Sequence, residues 1–361
     1  MKKGILLITI IFSIMLLSSC KQEPKNYSAS FFDYMDTFIA INIVADSDSE
    51  AARHFNRIRE IYSKYHDLST GYEPLATSSP FLTNIYHINQ TLNQTIEIDF
   101  DLYELLEIAE QYKMLTQGYF DISIGKIVDL WKQVILEDQT GYLFSDIPSE
   151  IYQQIMDQLD AIEVVENPYT LSIVDDKYFV RINHEDVKLD LGAISKGVAT
   201  EKVYDYLISE GIEYYSISAG SSSISVGKNI NRDTKLFHVS LANPVRTGGD
   251  DRTYGMLKIA DTSITTSANY EQYALYQGLR YHHIVSPKTK MPMHYYHSVT
   301  ILGADSGFLD ALSTALFSMP PEVFQAWLNQ YQNDYSVEIV RFNYDTTIST
   351  FLNTSTFEDL R

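Results

Sequence analysis

Apolar residues recur along this chain at two periods, and the periods sort it into elements. Phe38–Val44 alternates and predicts a strand, while Ser49 to Tyr65 has helical spacing. From Ile98 to Leu115, Leu102, Leu105, Leu106, Ala109 and Tyr112 mark one face of a second helix, which Gln117-Gly118 ends. Further helices are predicted over Ser149–Leu159, over Val198–Glu210 with Gly211 closing it, and over Phe308–Met319, where Pro320-Pro321 is a stop. Strands are predicted at Ile162–Val165, Thr170–Val174, Tyr178–Ile182, Tyr214–Ile217, Ser223–Val226, Phe237–Leu241, Met256–Ile259 and His297–Leu302. Many successive strands have no helix between them, which argues for an α+β fold of antiparallel sheets with flanking helices. A Rossmann fold is disfavoured, because Gly125, Gly192 and Gly220 do not make a G-x-G-x-x-G after a strand.

The N-terminus adds a destination. Lys2-Lys3 precede an apolar run from Gly4 to Leu17, then Leu17-Ser18-Ser19-Cys20. Such a run is short for a membrane span and has the order of a secretory signal. Leu-Ser-Ser-Cys resembles the bacterial lipobox, so residues 1–20 are expected to be a lipoprotein signal peptide with Cys20 as the lipidated residue. Residues 21–30 then read as a polar tether and 31–361 as the folded domain. Cys20 is the only cysteine, which excludes disulfides within the chain. These features place the protein on the extracytoplasmic face of a bacterial membrane, held by lipid.

Charge changes the picture further. A net charge of −20 argues against nucleic acid as a partner, with no basic patch beyond Lys2-Lys3. A phosphate-bearing ligand would need a cation supplied locally, and a divalent metal would meet that need.

Three segments carry candidate chemistry. In Val187–Gly197 an apolar strand reaches Asp190, turns at Gly192 and reopens as a helix with Lys196 in its first turn, an arrangement that can hold an anion but that also opens many ordinary helices. Tyr281–Thr289 contains His282-His283 in an alternating stretch, where a neutral imidazole could act as a base or simply as a hydrogen-bonded strand residue. In the third, Asp310 and Thr314 lie four apart on a helix with Ser313 beside them. Hard oxygen ligands of this kind suit Mg²⁺, although a surface helix turn is the simpler reading of the pair alone.

Taken together and in this order, the three segments resemble the ApbE family, the FAD:protein FMN transferases, over roughly Met35 to Met319. That resemblance implies Mg²⁺ on Asp310, Thr314 and the Ala193 carbonyl, with Ser313 beside them. It implies FAD as the substrate and His283, rather than His282, as the catalytic base, with Ile284 lining the flavin pocket. Gly118–Ser123 resembles the family's Gly-x-Phe-Asp-x-Thr and adds Tyr119, Phe120 and Asp121 to the flavin site. Met35 and Tyr72 carry over as flavin contacts, and Asp190 and Lys196 as nucleotide contacts. The expected reaction is Mg²⁺-dependent transfer of FMN from FAD to a threonine or serine hydroxyl of an extracytoplasmic redox flavoprotein, releasing AMP. An FAD pyrophosphatase and a non-catalytic flavin-binding lipoprotein stay open as alternatives. Three glycines of the family pattern are absent: Ala219 and Ala268 stand at two of those positions and Lys290 at the third, and Ser221 replaces a polar residue.

Overall fold

The computed structural model describes residues 24–136, 141–245, 252–331, 333–352 and 356–361. Residues 1–20 and Cys20, read as signal peptide and lipidation site, lie outside them. The centre is an eight-stranded sheet, antiparallel at every pairing. Its order is β1 (Lys25–Phe31), β2 (Ile39–Ala45), β6 (Tyr215–Ala219), β7 (Ser223–Val226), β10 (Thr262–Ala268), β13 (Tyr296–Gly303), β14 (Glu338–Asn343) and β15 (Ile348–Phe351). A second sheet is β3 (Ile96–Ile98), β5 (Lys177–Ile182) and β4 (Tyr169–Val174), and a third is β16 (Phe357–Asp359), β9 (Thr253–Ile259) and β8 (Phe237–Ala242). The hairpin β11 (Tyr273–Tyr276) and β12 (Leu279–His282) stands apart from these.

Helices cover one face of the large sheet. α1 (Asp48–Ser69) begins where Ser47 accepts from the Glu50 N–H and Glu50 reaches back to the Asp46 N–H, satisfying donors the helix leaves free. It packs with α6 (Ser195–Ser209), which in turn packs with α7 (Ser306–Ser318), and α7 is buried along almost its whole length. Between α1 and α6 in sequence come α2 (Ile85–Asn89), α3 (Phe100–Leu115), α4 (Gly125–Leu136) and α5 (Ser149–Ala161); α8 (Pro321–Tyr331) follows α7. On the opposite face the β8–β9 sheet buries Leu241, Leu257 and Ile259 against Ile264, Leu302 and Phe342. Apart from His297, β13 is therefore apolar or hydroxyl-bearing on both sides, and seven of its eight residues are buried. Among the described residues no helix is long and apolar enough to cross a membrane.

Three expectations are corrected. Lys25–Ser30, assigned to the tether, form most of edge strand β1, whose Tyr27, Ala29 and Phe31 alternate with polar residues. Ile162–Val165 is not a strand: the Leu159 and Ile162 carbonyls accept from Lys290 Nζ and the Glu163 N–H donates to Asp186, so side chains take the place of a neighbouring strand. Pro321 does end one helix but also starts α8, at the first-turn position where a missing N–H does no harm.

Candidate active site

The turn after Val187 is pinned from both sides. Asn89, at the end of α2, accepts from the Leu189 N–H at 2.8 Å and donates to the Leu189 carbonyl at 2.9 Å. One residue on, Asp190 accepts from the Gly192 N–H at 2.8 Å and from Lys132 Nζ at 3.0 Å. Burial alone would raise the Asp190 carboxyl, but Lys132, the Gly192 N–H and Lys188 outweigh it and hold the group below the usual carboxylate range. Asp190 is therefore ionised, and its charge is committed to the turn and to Lys132. Lys196, in the first turn of α6, donates to the Gly192 carbonyl at 3.1 Å.

α6 and α7 touch here at backbone distance. A Cβ on Gly197 would lie 2.4 Å from the Ser306 carbonyl oxygen and 2.6 Å from Asp310 Cβ, so only glycine permits the approach. The Gly197 N–H, one of the first-turn donors a helix leaves without an intrahelical acceptor, donates to Asp310 Oδ2 at 2.9 Å. Ala193 precedes the helix N-cap Ile194, so its carbonyl lies outside the helix ladder. Glu201 fixes the other end of the contact, accepting from the Ser306 N–H at 2.7 Å and its hydroxyl at 2.9 Å, while Ser306 Oγ also donates to the Gly197 carbonyl. Burial raises the Asp310 carboxyl, while Lys196 and the Gly197 N–H pull it back.

A cavity of about 400 Å³ opens above this contact. Ala193, Lys196, His283, Ile284, Asp310 and Thr314 all line it, as do Met35, Tyr119, Phe120, Asp121 and Asp190. Two expected site residues fall elsewhere. Tyr72 lines an adjoining cleft of about 120 Å³ that shares Met35, Lys132, Asp190 and Lys196 with the cavity. Ser313 is fully buried, its hydroxyl bonded to Ser267 Oγ at 2.8 Å and donating to the Asp310 carbonyl at 3.1 Å, which leaves it poorly placed as a ligand. Asp121 reaches the cavity, but Oδ1 accepts from the Ser123 N–H and hydroxyl and Oδ2 pairs with Lys113 at 2.7 Å, so its oxygens hold the loop together.

The two histidines differ sharply. His282 is fully buried, with Nε2 against the Met293 carbonyl at 3.0 Å and Nδ1 accepting from the Ile284 N–H at 3.3 Å. Burial pushes it down to about 3, so the ring is neutral and structural. His283 Nδ1 is a buried atom with no hydrogen-bond partner in the protein. Burial also lowers His283 below the ordinary histidine value, the Gln272 main chain and Glu271 opposing and Lys196 and Lys132 reinforcing. A neutral imidazole lining the cavity is a competent proton acceptor.

The residue missed in the sequence is Lys132. It donates to the Tyr72 hydroxyl at 2.8 Å and to Asp190, and stands 5.2 Å from the Tyr72 ring centroid. Lys188 is equally close to the same ring. The retained Gly220 has a φ of 70° where a Cβ would meet Thr37 Oγ1 at 2.5 Å, while at the altered positions Ala219 and Ala268 lie in strands and need no positive φ. Lys290 retains the left-handed conformation at φ 61° and uses its side chain to cap α5 through the Leu159 and Ile162 carbonyls.

For Mg²⁺ the donor set fits: one carboxylate, one hydroxyl and one carbonyl that precedes the helix, all oxygen and all on one cavity. Among the described residues no cluster of three or more His, Cys, Asp or Glu offers a competing arrangement.

The sequence matches the model of the ApbE family over residues 35–339. It is 26% identical over 289 residues to the FAD:protein FMN transferase of Klebsiella pneumoniae, covering 80% of this chain and 84% of that protein. The FAD:protein FMN transferase of Haemophilus influenzae is 26% identical over 320 residues, covering 88% and 87%. Among solved structures, the ApbE protein of Thermotoga maritima superposes with a TM-score of 0.70 at 23% identity, over 90% of this chain and 96% of that one. The flavin transferase ApbE of Vibrio cholerae gives 0.69 at 22% identity, over 92% and 98%.

Proposed function

Because the chain belongs to the ApbE family, we propose that it is an FAD:protein FMN transferase. It would bind FAD in the cavity and move the FMN half to a threonine or serine hydroxyl of an extracytoplasmic protein, releasing AMP. The observation that carries this reading is the convergence of His283, Lys196, Asp310, Thr314 and the Ala193 carbonyl on one 400 Å³ space.

The acceptor oxygen forms a bond to the FMN-side phosphorus as the bond from that phosphorus to the bridging oxygen breaks. AMP leaves with the bridging oxygen, and the hydroxyl proton passes to His283. Lys196 supplies a cation beside the pyrophosphate, which an acidic protein must provide locally. Mg²⁺, when held by Asp310, Thr314 and the Ala193 carbonyl, would supply charge neutralisation of the pyrophosphate. Gly197 and Glu201 act through Asp310, keeping its carboxylate on the cavity floor. The N-terminal Leu-Ser-Ser-Cys supports lipid anchoring at Cys20, which loss of palmitate labelling in Cys20→Ser would verify.

The full chain, incubated with FAD, Mg²⁺ and the apo form of an extracytoplasmic flavoprotein domain from the same cell, tests the reaction by intact mass with AMP followed in parallel. A mass gain of one FMN with equimolar AMP is expected. AMP without a mass gain would make the protein an FAD pyrophosphatase, and FAD binding with neither product would make it a carrier.

A further inference from the structure

A second cavity of about 400 Å³ adjoins the first, and Ser221, Ser222, Thr266, Ala268 and Glu271 line both. We propose that this second chamber admits the acceptor polypeptide, an uncharged stretch lying extended along β8 so that its hydroxyl arrives at His283. The proposal rests on the transfer reading above and locates its protein substrate.

Three observations carry it. The first is charge. The lysines Lys132 and Lys196 line the first cavity, whereas among the described residues the second has no lysine or arginine in its lining. Among the described residues its one carboxylate is Glu271, and the hydroxyl-bearing Ser240, Tyr254, Thr266, Ser298 and Thr300 line it. Such a wall would repel a pyrophosphate but can hydrogen-bond peptide groups and polar uncharged side chains.

The second is backbone. β8 is the outermost strand of its sheet, and Val239–Ala242 form one side of the chamber. Every second residue of an edge strand directs its N–H and C=O away from its only neighbour, a template for an added strand. The opposite side is the large sheet, through Ile224, Ile264 and Thr300.

The third is position. Glu271 lines both chambers and acts on the His283 ring, so the junction lies beside the base. His283 lines the first cavity together with Glu271, so a hydroxyl entering from the second chamber arrives at the wall that carries the imidazole.

The test uses the full chain, FAD, Mg²⁺ and the apo-flavoprotein domain described above. Val239→Trp should raise the KM for that domain at least tenfold while FAD affinity stays within twofold. Hydrogen exchange of the unsubstituted protein should slow at residues 239–242 when the domain is added, a readout that does not depend on the variant folding. Unchanged acceptor KM in Val239→Trp, or no protection of β8, would overturn the proposal. An equal loss of FAD affinity would assign the chamber to the dinucleotide and overturn it also. Failure of the unsubstituted enzyme to flavinylate any acceptor would remove the transfer reading and this chamber's role together.

Discussion

The floor and the rim of the cavity are built on opposite plans. On the floor, α6 and α7 meet through Gly197, and one buried carboxylate, Asp310, is fixed by a main-chain N–H. At the rim, Tyr72, Lys132, Lys188 and Asp190 face solvent more openly and hold one another by charge. Backbone packing gives the floor a position that no side-chain rotation can change. The rim instead supplies cations to the cavity of an acidic chain, in a form that salt can screen. Substitutions on the floor should therefore act on turnover and stability, and those at the rim on substrate affinity.

The largest effect expected is on the floor. Asp310→Asn keeps the shape but removes the charge, and turnover should fall by about a hundredfold or more with Mg²⁺ saturating, as losses of electrostatic stabilisation do. A steady-state assay of AMP release measures it. Gly197→Ala should destabilise the fold by about 1–3 kcal/mol in denaturant unfolding, since the added methyl forces the helices apart. A loss confined to activity, with stability intact, would show that the helix contact is looser than described.

The buried histidines make a pH prediction of opposite kinds. His282 takes up a proton in the unfolded chain near the ordinary 6.5 but in the fold only near 3. The unfolded state therefore binds more protons between those values, and stability falls as pH drops from about 6.5 toward 3. His282→Gln, if it folds, should flatten that limb. For His283 the readout is activity: its ring is held below the usual value, so the acid limb of kcat/KM should fall with a midpoint under 6.5.

At the rim, Lys132→Met should raise the FAD dissociation constant several-fold, about 1 kcal/mol, with kcat little changed and the salt dependence of binding reduced. Isothermal titration at two ionic strengths would measure both. A smaller effect still is expected at Lys290→Ala, which keeps the strained φ but loses the cap on α5, a loss of about 1 kcal/mol in stability and none in FAD affinity.

The floor was largely legible in the sequence and the rim only in part, for a physical reason. Lys196, His283, Asp310 and Thr314, with Asp190 at the rim, sit in short segments whose residue types and order are distinctive, and the structure brings them to one cavity. Lys132 carries no such mark. It lies on α4, whose buried Ile127, Trp131 and Ile135 recur at helical spacing, an element the sequence reading did not name. Ser313 shows the converse: adjacency in sequence suggested a ligand, but one residue is 100° around a helix and turns its hydroxyl toward Ser267. The antiparallel architecture followed from strands without intervening helices. β1 was hidden because an edge strand can be as polar as a tether, although Tyr27, Ala29 and Phe31 alternate in it.

The central claim is that His283 takes the proton of an acceptor hydroxyl at a cavity that binds FAD. It is tested most directly by comparing His283→Ala with the unsubstituted protein for FAD affinity and for FMN transfer measured by intact acceptor mass. The account predicts FAD affinity within about twofold and transfer reduced at least a hundredfold, the range of a lost general base. Undiminished transfer by His283→Ala would contradict it.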